Sequence, residues 1–259
     1  YKYYHFLNYV RGDNPKWFDW IDYFLNATEK MAEKLSEVLN KVEQIESRVL
    51  RFFGIGESVL ETELEDLIEK QSNPTIAPLA GDGDVTVRLT AKADDDVKRK
   101  EMLDSLEAEI LRRVGRYFYG YDDTNMMKEL ARLLEEKKLT LAVAESLTGG
   151  LFQEKATDIP GASRWFKGGI VSYTNDVKEK VLLVKKETLE TAGAISAACA
   201  EEMAMHVKNL LGADIGISFT GVAGPDRVEG KEPGTVFCGV AIGDHGAKSF
   251  QLQLTGNRA

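Results

Sequence analysis

Apolar and small residues recur at Ile21, Phe24, Thr28, Met31, Leu35, Val38, Val42 and Ile45, in steps alternating between three and four. That spacing is the seam of a heptad helix. A stripe of this length needs a cover, supplied either by its own chain or by a second helix. From Ser47 the pattern changes. Residues 48–53 read as a strand, Gly54-Ile-Gly56 as a turn, and 57–70 as an acidic helix with Leu60, Leu64, Leu67 and Ile68 on one face. Residues 75–80 form a short strand. Val85, Val87, Leu89 and Ala91 then alternate with Thr86, Arg88, Thr90 and Lys92, as in a half-buried antiparallel strand. A helix from about Asp95 to Val114 closes this unit.

From Thr124 onward helix and strand alternate. A helix over 124–137, with Thr124 as N-cap, turns Met127, Leu130, Leu133 and Leu134 inward. Strands are expected over 139–144, 169–173, 215–219, 236–242 and 249–254, with helices after the Gly149-Gly150 turn, Asn175 and Ser196. Such alternation predicts a mainly parallel or mixed sheet covered on both faces. The expected class is α/β, in three parts: a helical segment over 1–46, a small α+β unit over 47–121 and an α/β sandwich over 122–259.

Composition narrows the functions. The chain has 259 residues, of which 43% are apolar and 29% charged, as in ordinary globular proteins. Its net charge of -9 argues against a generic nucleic-acid binder, which needs basic surface to neutralise phosphates. Cys199 and Cys238 are the only cysteines and fit neither a disulfide framework nor a zinc site. His5, His206 and His245 stand singly, which argues against a histidine-based metal centre. No apolar run reaches the ~20 residues of a membrane span, and no secretory signal is visible, so a cytoplasmic location without a membrane partner is expected.

The run Leu141-Ala-Val-Ala-Glu145-Ser146-Leu147-Thr148-Gly149-Gly150 carries the candidate chemistry. An apolar strand ends there in a hydroxyl residue and a glycine turn, and ligands of open α/β sheets bind outside the carboxyl ends of strands. A second run, Ser218-Phe-Thr220-Gly221-Val-Ala-Gly224-Pro225-Asp226, has the same design. Ser146 needs a base to become a nucleophile, and no histidine is suitably placed. Lys178 is the alternative base, expected on the first turn of a helix, where the helix N-terminus and backbone donors would depress its pKa. Tyr173 is placed to relay the proton or orient the lysine. The plainer alternative makes Ser146 a helix cap and Lys178 a solvated charge. Glu145 reads equally as a ribose ligand, an ion-pair partner of Lys178 or a capping carboxylate. Thr148, Gly149 and Gly150, with Thr220, Gly221 and Gly224, can bring backbone N–H groups to a phosphate or carbonyl oxygen. Arg258 is a further anion-binding candidate. Neither loop matches the mononucleotide or dinucleotide fingerprint, which argues against an ATPase or a dehydrogenase.

The stretches AVAESLTGGLF, FKGGIVSYTNDVKEKVL, GISFTGVAGPD and PGTVFCGVAIG resemble the carboxy-terminal domain of the competence/damage-inducible CinA family. SRVLRFFGIGES, NPTIAPLA, VTVRLTAKA and YFYGYDD resemble the KH-like middle domain of the same family. The resemblance implies a nicotinamide-nucleotide amidase. Such an enzyme hydrolyses the carboxamide of nicotinamide mononucleotide to nicotinate mononucleotide and ammonia, without metal or cofactor, in pyridine nucleotide recycling. It implies Ser146 as nucleophile, Lys178 as base and Tyr173 as assistant, with substrate contacts from the Thr220-Gly221 segment and Arg258. It also implies an amino-terminal molybdopterin-binding-like domain, which this sequence lacks, and a helix after Arg258, whereas the sequence ends at Ala259. In place of the former, FLNYVRGDNPKWFDWIDYFLNATEKMAEKL resembles the terminal helical segment of Fic-domain proteins, without their catalytic motif, and suggests a fusion joined near Ser47. The expected partners are a small nucleotide substrate and a second copy of the chain, as a homo-oligomer, most simply a dimer. The competing reading is a non-catalytic scaffold that associates through the heptad helix. Single-stranded nucleic acid is a third, disfavoured by the acidic charge and by the missing basic Gly-x-x-Gly loop.

Overall fold

The computed structural model describes residues 16–81 and 83–255. Residues 1–15, with His5 and the start of the Fic-like stretch, lie outside the described residues, as does Arg258. The chain divides into two compact units between Asp123 and Thr124.

Among the described residues, helix α1 (Trp17–Glu43) comes first in the amino-terminal unit. No glycine or proline interrupts it, and its Ala, Leu, Met, Glu and Lys content favours the helix. Ile21, Phe24, Met31, Leu35 and Val38 of the expected seam are all exposed. The seam is also shorter than expected, because the helix ends at Glu43 and Ile45 opens strand β1 (Ile45–Phe52). Helix α2 (Glu57–Glu69), strands β2 (Thr75–Ala80) and β3 (Val85–Lys92) and helix α3 (Asp96–Val114) follow the reading from sequence within a few residues. Asp95 caps α3 by accepting the Val97 N–H. Strand β4 (Phe118–Tyr121) was not expected. It is four residues of aromatics and glycine directly after a helix, too short to show an alternation.

The antiparallel sheet runs β2-β3-β1-β4. The alternating residues Val85, Val87, Leu89 and Ala91 are buried as expected, together with Leu50 and Phe52 of β1 and with Leu60, Leu64, Leu103 and Ile110 of the two helices. Arg48 shares the face of Leu50 and Phe52. Its guanidinium is matched there by Asp104 at 2.9 Å and by Glu107, which also accepts from the Tyr121 hydroxyl at 2.6 Å.

The second unit starts with α4 (Met126–Lys137). Its cap is Asn125, not Thr124: Asn125 accepts the Lys128 N–H, while the Thr124 hydroxyl donates to Glu129. Leu133, expected inward, is exposed. Strands β5 (Leu141–Glu145), β6 (Phe166–Val171), β7 (Ile215–Gly221), β8 (Thr235–Ile242) and β9 (Ala247–Gln253) form one sheet in the order β6-β5-β7-β8-β9. β5 is parallel to β6 and β7, while β8 is antiparallel to both its neighbours β7 and β9, so the sheet is mixed. Helices α5 (Leu151–Thr157), α6 (Asn175–Lys180), α7 (Lys186–Thr191) and α8 (Ala197–Leu211) complete the unit. The expected α/β class, with a mixed sheet, a small α+β unit and an amino-terminal helix, is the observed one.

Two cores sandwich this sheet. Ala142 and Ala144 pack with Cys199, Met203 and Val207 of α8 and with Leu182 and Val184. Leu141 packs on the opposite face with Ala131, Leu134, Ala156 and the fully buried Trp165. Small residues let α8 approach the sheet closely. Gly239 stands beside Ser218 in register, and Ser218 donates its hydroxyl to the Ala200 carbonyl at 2.6 Å. A Cβ on Gly239 would drive into that same carbonyl oxygen. Among the described residues no helix is long and apolar enough to cross a membrane.

Gly239→Ala is therefore expected to destabilise the chain by about 1–3 kcal/mol, the usual cost of overpacking a rigid contact. Urea unfolding checks this, and an unchanged midpoint would contradict the close approach of α8.

Candidate active site

The carboxyl ends of β5 and β7 lie side by side, and the Ser146 N–H continues their pairing by donating to the Phe219 carbonyl at 2.9 Å. Glu145 and Ser146 then diverge. Glu145 is fully buried and turns its carboxylate to the next turn, accepting from the N–H groups of Gly150 (3.1 Å), Phe152 (3.0 Å) and Gln153 (3.0 Å). It serves here as the capping carboxylate: it is fully buried, does not line the cavity and forms no ion pair with Lys178. Ser146 is thereby relieved of capping, and its side chain faces a cavity of about 300 Å³.

Lys178 reaches Ser146 from the other side. Thr174 caps α6 by accepting the Val177 N–H, and Lys178, the fourth residue of that short helix, closes its first turn, as expected, through its own N–H on the Thr174 carbonyl at 3.0 Å. Its side chain is 2% exposed. The Nζ donates to Ser146 Oγ at 3.0 Å and to the Ser172 carbonyl at 2.8 Å. Ser172 is itself fixed, since its N–H donates to the Glu145 carbonyl at 2.7 Å. The main chain of Glu145 thus holds the residue that aims the base, while its side chain builds the turn behind the nucleophile.

Burial pushes the Lys178 ammonium below the ordinary lysine range, while Cys199 and Glu229 act in the opposite direction. The leading cause is desolvation. Cys199 is itself pushed up to about 12 by burial, so at neutral pH it is an uncharged thiol. Of these two groups, only the Glu229 carboxylate then brings a charge towards the lysine.

The cavity is lined by Ser146, Leu147, Tyr173, Asn175 and Lys178 on one side and by Thr220 to Gly224 on the other, closed by Ala194, Ile195, Val228 and Glu229. Ser146, Tyr173, Lys178, Thr220, Gly221 and Gly224 are thus brought together. Tyr173 stands at the exposed mouth. Thr220 is buried and donates its hydroxyl to the Ala194 carbonyl at 2.7 Å, leaving its lone pairs towards other donors. Thr148, Gly149 and Gly150, expected to touch substrate, shape the turn and do not line the cavity. Arg258 lies outside the described residues. Sequence reasoning missed Ser172, which acts through a backbone carbonyl that no residue type encodes, and it missed Asn175, Ile195 and Glu229. Among the described residues no group of three His, Cys, Asp or Glu side chains is placed to hold a metal ion.

Fold and site together define an α/β domain with a buried serine–lysine pair at the carboxyl edge of a mixed sheet, preceded by a small α+β unit. Two family models match this arrangement: the CinA C-terminal domain over residues 123–259 and the damage-inducible protein CinA KH domain over 47–120. The chain belongs to the CinA family. It is 58% identical over 224 residues to a competence-damage inducible protein of Geobacillus sp. (strain WCH70), covering 86% of this chain and 54% of the relative. It is 61% identical over 199 residues to the corresponding protein of Bacillus subtilis (strain 168), covering 77% and 48%. The chain spans about half the length of the curated relatives it matches. The match of 224 residues is longer than the stretch from 47 to 259, so similarity to the Geobacillus protein reaches back into α1 rather than starting at Ser47. Among solved structures, the competence damage-inducible protein A of Klebsiella pneumoniae superposes with a TM-score of 0.50 at 32% identity, over 51% of this chain and 82% of that one. A CinA superfamily protein of Escherichia coli gives 0.50 at 28%, over 53% and 82%.

A buried amine lowers stability in its charged form. Lys178→Met is expected to raise stability by about 1–3 kcal/mol at neutral pH. The sign with pH follows from linkage. The folded pKa is depressed, so the cost is complete below it and fades as pH rises towards the unfolded value of about 10.4. The gain should shrink over that window, as read from urea unfolding of both proteins at several pH values. A gain independent of pH would contradict the assignment.

Proposed function

We propose that this chain is an amidase that hydrolyses the carboxamide of nicotinamide mononucleotide to nicotinate mononucleotide and ammonia, recycling pyridine nucleotides in the cytoplasm. The observation that carries the reading is the 3.0 Å contact between the buried Lys178 Nζ and Ser146 Oγ at a cavity of nucleotide-fragment size. The resemblance of the surrounding motifs to the amidase domain supports the choice of substrate.

In this mechanism Lys178 acts as the free base. It keeps a proton on the Ser172 carbonyl and offers its lone pair to the Ser146 hydroxyl. As Oγ attacks the amide carbon, Lys178 takes the Ser146 proton. We assign the oxyanion to the backbone N–H groups of the cavity-lining turns at Leu147 and Ala223, each donor being worth about 3 kcal/mol. The lysinium then protonates the leaving nitrogen, ammonia departs and an acyl-serine remains. Water, deprotonated by the same lysine, hydrolyses this ester and restores Ser146. Tyr173 assists proton movement at the mouth, Thr220 and Gly221 contact the substrate, and Arg258 meets its anionic end. No step requires a metal or cofactor.

A second reading concerns association. The exposed seam Ile21, Phe24, Met31, Leu35 and Val38 of α1 favours pairing of two copies through this helix, independently of catalysis. Sedimentation is expected to show a dimer that Leu35→Glu converts to monomer. A native chain that stays monomeric at high concentration would overturn it.

For the amidase, Ser146→Ala and Lys178→Arg are each expected to lower ammonia release by at least about 10³-fold. Arginine fails because it stays protonated. The native kcat/KM should rise with pH as Lys178 loses its proton, with an acid limb below the ordinary lysine value. Full turnover by Ser146→Ala would overturn the serine mechanism, and no ammonia from the native chain would overturn the substrate assignment.

A further inference from the structure

No motif pointed to Glu229. It sits at the tip of a hairpin in which Val228 and Lys231 exchange backbone hydrogen bonds at 3.2 and 3.0 Å. Glu229 and Gly230 take the two central positions with φ of 52° and 71°, as a tight hairpin turn of primed type demands. A non-glycine residue in this region costs on the order of 1 kcal/mol, so something must hold it there. What holds it is its own carboxylate. Oε1 accepts the Ala194 N–H at 3.0 Å and Oε2 the Ile195 N–H at 2.9 Å. Gly193 makes the room, because a Cβ there would collide with the carboxylate. An Arg227–Glu232 ion pair braces the stem.

The result is a negative charge fixed at the rim of the Ser146 cavity. Among its described lining residues the only others with an ionisable side chain are Tyr173 and Lys178. With Lys178 as free base, Glu229 is the one charge among these described lining residues. Ile195, Val222 and Val228 supply apolar wall beside it. An apolar wall with one carboxylate beside it fits a flat ring that bears a positive charge.

We propose that Glu229 is a specificity-determining residue that reads the positive charge of a pyridinium ring, selecting N-substituted nicotinamides over neutral aromatic amides. This rests on the amidase reading and adds to it. The carboxylate also disfavours the hydrolysed product, whose new carboxylate enters the same cavity, and so favours its release. Because Glu229 raises the Lys178 pKa, a cation placed against Glu229 offsets that effect and helps Lys178 to be the free base when substrate is bound.

The test uses the full chain with Ser146→Ala, which prevents turnover, and titrates two ligands calorimetrically: nicotinamide mononucleotide, whose ring is cationic, and its dihydro form, whose ring is neutral. Adding Glu229→Gln is expected to weaken the cationic ligand about tenfold and the neutral one by less than about twofold. Equal weakening of both would make Glu229 a mere latch and overturn the proposal, and so would no change in either. If neither ligand binds before Glu229 is changed, the amidase reading itself fails. Should Glu229→Gln lose its cooperative melting transition, Glu229→Asp carries the test: it keeps the charge and is expected to keep the cation preference, whose loss in a folded protein would overturn the proposal.

Discussion

Withdrawing the Lys178 amine from water is the constraint on which the site depends. Its nitrogen meets two uncharged acceptors, Ser146 Oγ and the Ser172 carbonyl, and the adjacent Cys199 is a thiol at neutral pH. An ammonium there loses its hydration without gaining a contact ion pair, so the balance moves towards the free amine. A serine hydroxyl beside a free amine is an acid–base pair. Beside a solvated ammonium it would be a surface contact. Burial is therefore the step that turns a spacing of residues into chemistry.

The fold supplies that burial through a few backbone links. Glu145 does two jobs at the end of β5. Its carbonyl fixes Ser172, which aims the lysine, and its carboxylate satisfies the N–H groups of the next turn. Small residues at Ala142, Ala144, Ser218 and Gly239 let α8 press onto the sheet. The segment just before α8 is gripped twice, by the Thr220 hydroxyl on the Ala194 carbonyl and by the Glu229 carboxylate on the Ala194 and Ile195 N–H groups. Packing of the helix and closure of the cavity wall are one structural event.

Much of this was legible from residue pattern. Periodicity located the helices other than the six-residue α7 and most of the strands, because strands such as β3 alternate cleanly and β5 is apolar up to Glu145. It failed at β4, where four residues cannot show a period, and at the Asn125 cap, where two capping residues adjoin. Ser146 and Lys178 were legible as a pair only through resemblance to a family, since a serine after a strand has a structural use as well. The role of Glu145 stayed open for a physical reason: a carboxylate at that position serves a ribose, a lysine or a turn equally well, and only the orientation of three N–H groups decides. Ser172 was invisible because its carbonyl is common to every residue. Glu229 was hidden because its function depends on a left-handed turn that throws the side chain back across the cavity.

Membership of the CinA family fixes the architecture, and the chain spans about half the length of the relatives that define it. The chemistry proposed for it stands or falls with the protonation state of one amine. Its most direct test is an NMR titration of the lysine side chains, with Lys178 assigned by comparison with Lys178→Arg. The account predicts that Lys178 titrates below the remaining lysines, which follow the usual value of about 10.4. A Lys178 that titrates with the others, or above them, would contradict it.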